Sequence, residues 1–150
     1  MKWLQLICNS KPTYQKLINF LNQFGLSGLE EALQSFENTQ QYYFCNTRSS
    51  CSKIKIKDLY YLKITGHKIH AYTATEIFEK YGTLNNELKF LSMYGFIKCH
   101  QSYIVSLEKI KTIDNNKIFL INGDMLPLSK NNAPKVRVAF HNYSQKTSIT

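Results

Sequence analysis

The chain has 150 residues, with 19 Lys and Arg against 10 Asp and Glu, a formal net charge of +9 and a pI near 9.4. That length suits one domain with a small appendage, and the basic balance favours a polyanion partner, nucleic acid first and anionic lipid second. No apolar run approaches the length of a membrane span, which argues against membrane insertion, and Trp3-Leu4-Gln5-Leu6-Ile7 is too short for a secretory segment.

Read in order, the first fifty residues are expected to be mostly helical. Met1 to Cys8 suits a short strand. Pro12 opens a helix in which Tyr14, Leu17, Ile18, Leu21 and Phe24 recur at the helical period, and Gly25 ends it. Ser27 and Glu30 have capping-box spacing for a second helix, with Leu29, Ala32, Leu33 and Phe36 as its apolar stripe. Tyr42-Tyr43-Phe44 suits a short strand. The polar, small-residue segment Asn46 to Ser52 reads as a linker or long loop.

Beyond it the pattern turns to strands. Lys53-Ile54-Lys55-Ile56-Lys57 alternates strictly, giving one apolar and one cationic face. Leu59 to Ile64 and Ile69 to Thr73 follow, joined through Gly66, which tolerates the turn's backbone. Glu76 to Tyr81 is a further strand candidate. Thr83 caps a short helix carrying Leu84, Leu88 and Leu91, and Gly95 ends it. Later strands are expected at Ile110 to Ile113, Lys117 to Ile121 and Met125 to Leu128, separated by Asn115-Asn116 and Asn122-Gly123-Asp124. Pro134 begins a last helix with Val136, Ala139, Phe140 and Tyr143 on its apolar face. No helix-turn-helix is present in this half.

Between Gly95 and that later region lies a polar cluster, Lys98, His100, Gln101 and Ser102, flanked by Phe96-Ile97 and Tyr103-Ile104-Val105. Polar residues between two apolar runs predict a tight connection between strands. Phe96, Lys98, His100, Ser102 and Val105 resemble the signature of the LytTR family of bacterial DNA-binding domains. Three more segments resemble that family in order: Asp58-Leu59-Tyr60-Tyr61-Leu62, Thr83-Leu84 with Leu88 and Leu91, and Asn122 to Lys130.

The resemblance implies a mainly β, elongated LytTR-like fold with short helices, preceded by a small helical N-terminal segment. The corresponding division is 1–50, 51–143 and a flexible tail 144–150. It also implies that loops rather than a helix reach double-stranded DNA. The first loop would bring His67 and Lys68, the second Lys98, His100, Gln101 and Ser102, the third Ser129, Lys130 and Asn131. Side-chain chemistry then suggests roles. Gln101 can pair with adenine N6 and N7, and His67 can donate to guanine N7 or O6. Lys68, Lys98 and Lys130 suit phosphate, because Lys is a point charge without the guanidinium fork. Asn131 stands where many members carry a base-reading Arg, and Ser106 where Asn is usual. Only Arg48 and Arg137 are arginines in the whole chain.

Residues 1 to 57 contain no Asp, so a phosphoacceptor receiver domain is not expected there. That segment has three readings: a dimerisation surface serving paired half-sites, a docking site for a regulatory protein partner, or a plain structural extension. A cytoplasmic transcriptional regulator is therefore the expected function. A non-specific nucleic-acid-binding or partner-interaction module is the alternative. The rival from another class is a metal or catalytic site built on His67, His70, Cys99 and His100. Zinc spacing is lacking, and Cys99 and His100 should diverge on a straight strand. No nucleophile elbow or phosphate loop is present, so neither an enzyme nor a cofactor is expected. Cys8, Cys45, Cys51 and Cys99 form no C-x-x-C pair and read as reduced thiols, a Cys45–Cys51 disulfide being the other option.

Overall fold

The computed structural model describes residues 11–40 and 42–148, in two units divided between residues 41 and 42. The strand expected at Met1 to Cys8 lies outside the described residues. In the first unit the helical stretch α1 covers Lys11–Gln40 and is broken at Gly25, whose φ of 70° and ψ of −171° lie outside helical geometry. A side chain there would be strained, so glycine is what permits the break. Phe24, Leu33 and Phe36 on this stretch are each more than half exposed, at 52%, 55% and 55%.

The second unit begins with a hairpin, β1 (Tyr42–Asn46) and β2 (Cys51–Lys55), with Asn46 opposite Cys51. Of the two readings of this segment, linker or long loop, the loop holds, since it closes the hairpin, and the structural division falls between residues 41 and 42. Small polar residues serve a tight turn and a linker equally well; only the pairing of the flanking strands tells them apart. Thr47 N donates to Ser50 O at 2.8 Å, and Ser50 N donates to Thr47 Oγ1 at 3.0 Å. Cys45 is buried and Cys51 exposed, on opposite faces of the hairpin, and both thiols are free. Pleating separates them, so the disulfide option is not realised.

A five-stranded antiparallel sheet forms the centre: β3 (Leu59–Thr65), β4 (Lys68–Thr73), β5 (Ile77–Tyr81), β6 (Phe96–His100) and β7 (Tyr103–Ser106), in the order β5-β4-β3-β7-β6. The helix α2 (Leu84–Leu91) lies between β5 and β6 in sequence, with the Thr83 hydroxyl accepting from Asn86 N. It ends through a 3-10 turn at Gly95, φ 82°. A smaller sheet, β8 (Ile110–Ile113), β9 (Lys117–Leu120) and β10 (Met125–Pro127), has the order β10-β9-β8. Pro127, which lacks an amide hydrogen, is tolerated because β10 is an edge strand. The last helix, α3 (Ala133–Ser148), continues through the residues expected to begin a flexible tail.

Strand alternation sends apolar side chains to both faces of the central sheet. On one face Leu59, Leu62, Ile69, Ala71, Phe96 and Ile104 pack with the β1–β2 hairpin and α2. On the other, Tyr61, Ile97, Cys99 and Val105 pack with Ile118, Leu120 and Leu126 of the small sheet and Val136 of α3. The expected mainly β architecture with short helices is thus found. Both central faces being covered leaves loops and sheet edges as the available binding surface.

Candidate nucleic-acid interface

Antiparallel register places the β3–β4 and β6–β7 turns at one end of the central sheet, since Lys63 lies opposite Tyr103 and Thr65 opposite Lys68. Backbone hydrogen bonds then stitch successive loops together. Ser129 N, just after β10, donates to Cys99 O at 3.0 Å; Ile64 N donates to Ser102 O at 2.9 Å; Gly82 N donates to His67 O at 3.1 Å. The third, second and first expected loops, followed by the end of β5, therefore lie side by side. Backbone bonds of this kind hold a loop row in place without consuming the side chains that face solvent.

The first loop is a two-residue turn, Gly66-His67, with Gly66 at φ 64°. Glycine at its first central position matches the twist of the flanking strands. His67 is exposed and Lys68 half-exposed.

The second loop, Gln101-Ser102, has no positive-φ residue. An irregularity in β6 between Lys98 and His100, which leaves Cys99 as an extra residue, offers the compensating twist. Ser102 N donates to His100 Nδ1 at 3.1 Å. With Nδ1 accepting, the neutral ring carries its proton on Nε2, where it can donate outward. Gln101 is exposed at the tip. Lys98 lies three residues before Gln101 on β6, opposite Ile104, and is half-exposed.

In the third loop, the Ser129 hydroxyl accepts from Asn132 N at 3.3 Å and from Asn132 Nδ2 at 2.7 Å, while Lys130 and Asn131 are exposed. Ser129 thus helps to start α3; both bonds use lone pairs of its oxygen and leave the O–H as a donor. The expected residues accordingly fall on one end of the sheet, with Lys98 set back along its strand.

The LytTr DNA-binding domain family profile matches residues 49–141. The chain belongs to the LytTR DNA-binding domain family. It is similar to the sensory transduction protein LytT of Enterococcus faecalis (strain ATCC 700802 / V583), with 29% identity over 79 residues, covering 49% of this chain and 33% of that protein. The chain thus spans only a part of that relative. It also resembles in fold the LytTr DNA-binding domain assigned to a methyl-accepting/DNA response regulator from Bacillus cereus, with a TM-score of 0.59 and 22% identity over 66% of this chain and 95% of that one. No described helix is long and apolar enough to cross a membrane.

Within this LytTR domain, sequence reading missed a polar row running across all five strands. Glu79, His70, Lys63, Tyr103 and His100 occupy successive cross-strand positions. Lys63 lies 5.8 Å from the Tyr103 ring centroid, and the His100 ring meets Tyr103 edge-on at 5.7 Å. Half of this row was readable, because a two-residue turn at Gly66-His67 puts Lys63 opposite His70. The Glu79 end depends on the β4–β5 register, which no turn motif announces.

Glu79 alters the first loop. Its carboxylate is 3.1 Å from Lys68 Nζ and 3.3 Å from His70 Nε2. The hydrogen bond with Lys68 holds the Glu79 carboxyl below the usual carboxylate range and raises the Lys68 ammonium. A paired Lys is a weaker phosphate contact than a free one, and the carboxylate itself repels phosphate. Glu79→Gln is therefore expected to tighten binding to any duplex by about two- to fivefold at low salt, the scale of one exposed ion pair. Fluorescence-anisotropy titrations should show the gain shrinking as salt rises; unchanged or weaker binding would mean Lys68 is not held back by Glu79.

The Cys99 thiol is the other correction at this end. Cys99 is buried in the cluster against which the Tyr103 ring packs, and the His100 ring meets that same ring, so the two neighbours share a face instead of diverging. The irregularity in β6 is the reason. Burial pushes the Cys99 thiol up to about 12 and the Cys45 thiol up to about 11. The thiolate is the reactive form. Among the described cysteines, iodoacetamide at pH 8 should therefore label exposed Cys51 and spare Cys45 and Cys99, as read by peptide mass spectrometry. Rapid native labelling of Cys99 would contradict its buried environment.

Proposed function

We propose that this chain is a bacterial, cytoplasmic transcriptional regulator that binds double-stranded DNA sequence-specifically through three loops. The observation carrying this reading is the loop row, stitched by Ser129–Cys99, Ile64–Ser102 and Gly82–His67 backbone bonds, on a domain of the LytTR DNA-binding family. In this reading Gln101 reads adenine and His67 a purine edge, with His100 donating from Nε2. Lys68, Lys98 and Lys130 hold phosphates and set the register. Asn131 offers an amide, and Ser102 and Ser129 offer hydroxyls to the duplex while also shaping the second and third loops. The net charge of +9 supports long-range attraction to DNA.

The helical stretch α1, within the first fifty residues, carries the second part of the proposal. The exposed apolar side chains of α1, Phe24, Leu26 and Leu33 among them, suit a helix that offers an apolar face to a partner. A second copy of the chain, giving a homodimer on paired half-sites, is the preferred occupant, with a regulatory protein the other. Selection of bound duplexes from a random pool tests the function directly. Recovery of a motif occurring as two spaced repeats supports a sequence-specific dimeric regulator. A single motif supports specific binding by one domain, and absence of enrichment favours non-specific nucleic-acid binding.

A further inference from the structure

The loop row does not stop at the first loop. Beyond His67 it passes to Gly82 and the end of β5, where Lys68 lies opposite Tyr81. There a groove of about 940 Å³ opens between the β1–β2 turn and the β5 edge, lined by Arg48, Ser49, Lys68, Glu79, Lys80 and Tyr81 among others. Lys68 belongs both to the first loop and to this groove, so the two surfaces are continuous.

The cations of the groove differ in availability. Lys68 is paired with Glu79 at 3.1 Å, and Lys80 with Glu87 at 3.0 Å while also donating to Phe44 O. Of the two arginines, Arg137 is engaged on the β8–β9 turn, donating to Asp114 O at 3.2 Å and Asn115 O at 3.3 Å. Arg48 is exposed and makes no such bond among the described residues. Its turn is held rigid by the Thr47–Ser50 bonds, including a 2.7 Å contact between the two hydroxyls. A pre-ordered turn bearing one free guanidinium suits bidentate capture of a phosphate. The three loops themselves contain no arginine.

The geometry points to a fourth DNA contact: the groove takes the sugar–phosphate backbone of duplex flanking the stretch that meets the loops, with Arg48 gripping a phosphate. This rests on the DNA-binding reading above. It makes residues expected to form a linker or long loop part of the interface, and it supplies the guanidinium that the third loop lacks at Asn131. A peptide strand added to the β5 edge is the competing occupant of the groove; charge favours the polyanion, since the free charge there is positive.

The test uses the full chain and a random-sequence duplex long enough to extend past the loops, titrated at several salt concentrations. Arg48→Ala should weaken binding several-fold and flatten the slope of log affinity against log salt by about one unit, as for one lost phosphate contact. Arg48→Lys should restore the slope while recovering only part of the affinity, because the charge returns without the fork. Circular dichroism should show all variants folded, as expected for an exposed turn residue. Lys98→Ala serves as the reference. A flattened slope for Lys98→Ala with an unchanged slope for Arg48→Ala overturns the fourth contact and leaves the loop reading standing. Failure of the unaltered chain to bind the duplex overturns both.

Discussion

Leu62→Ala is expected to lower the unfolding free energy of the domain by about 2–5 kcal/mol, the range for truncating a fully buried leucine. Leu62 lies on β3, the middle strand of the five, opposite Ala71 of β4 and Ile104 of β7. Its side chain is fully buried in the cluster that joins the sheet to the hairpin and α2. The neighbours are fixed by strand pairing on both sides, so the structure has little freedom to collapse into the void. Domains of this size are stable by only about 5–15 kcal/mol, so the loss is a large fraction of the whole. Urea unfolding followed by far-UV circular dichroism measures it, with an unchanged denaturant slope indicating that only stability moved. A loss below about 1 kcal/mol would contradict the close packing at the sheet centre.

Gln101→Ala is expected to cost about 1–3 kcal/mol at the duplex recovered by selection and almost nothing on random sequence. The carboxamide stands at the exposed tip of the β6–β7 turn, held by Ser102 N on His100 Nδ1 and by Ile64 N on Ser102 O. Neither holding bond uses the Gln101 side chain, so its removal should leave the turn intact. The amide can donate and accept at once, matching adenine N6 and N7. Anisotropy titrations on both duplexes separate the possibilities. Equal loss on both would reassign Gln101 from base reading to general adhesion, and no loss on either would remove it from the interface.

How much of this was legible depended on the range of each signal. Thr83, Gly66, Gly95 and Pro134 announced their caps and turns because those roles are local: a hydroxyl near a free amide, a backbone needing positive φ, a ring matching a helical φ. The alternation of Leu59 to Ile64 and of Ile69 to Thr73 announced strands for the same reason. The Asn46 to Ser52 segment stays open between linker and loop in the sequence because its composition is shared by linkers and hairpin turns. Only the pairing of Tyr43 with Ile54 and of Asn46 with Cys51 distinguishes them. The divergence expected of Cys99 and His100 failed because an irregularity in a strand leaves no mark in residue type.

The sequence alone determined that this is a basic, mainly β domain with polar connections between apolar strands. It also carried the motifs that relate the chain to the LytTR family. Such properties reside in residue type and short spacing. Tertiary structure decided which loops become neighbours, that Glu79 neutralises Lys68, and that Arg48 borders the same end of the sheet. Those relations join residues distant in sequence, through the pairing of strands and the closing of loops, and no local pattern encodes that register.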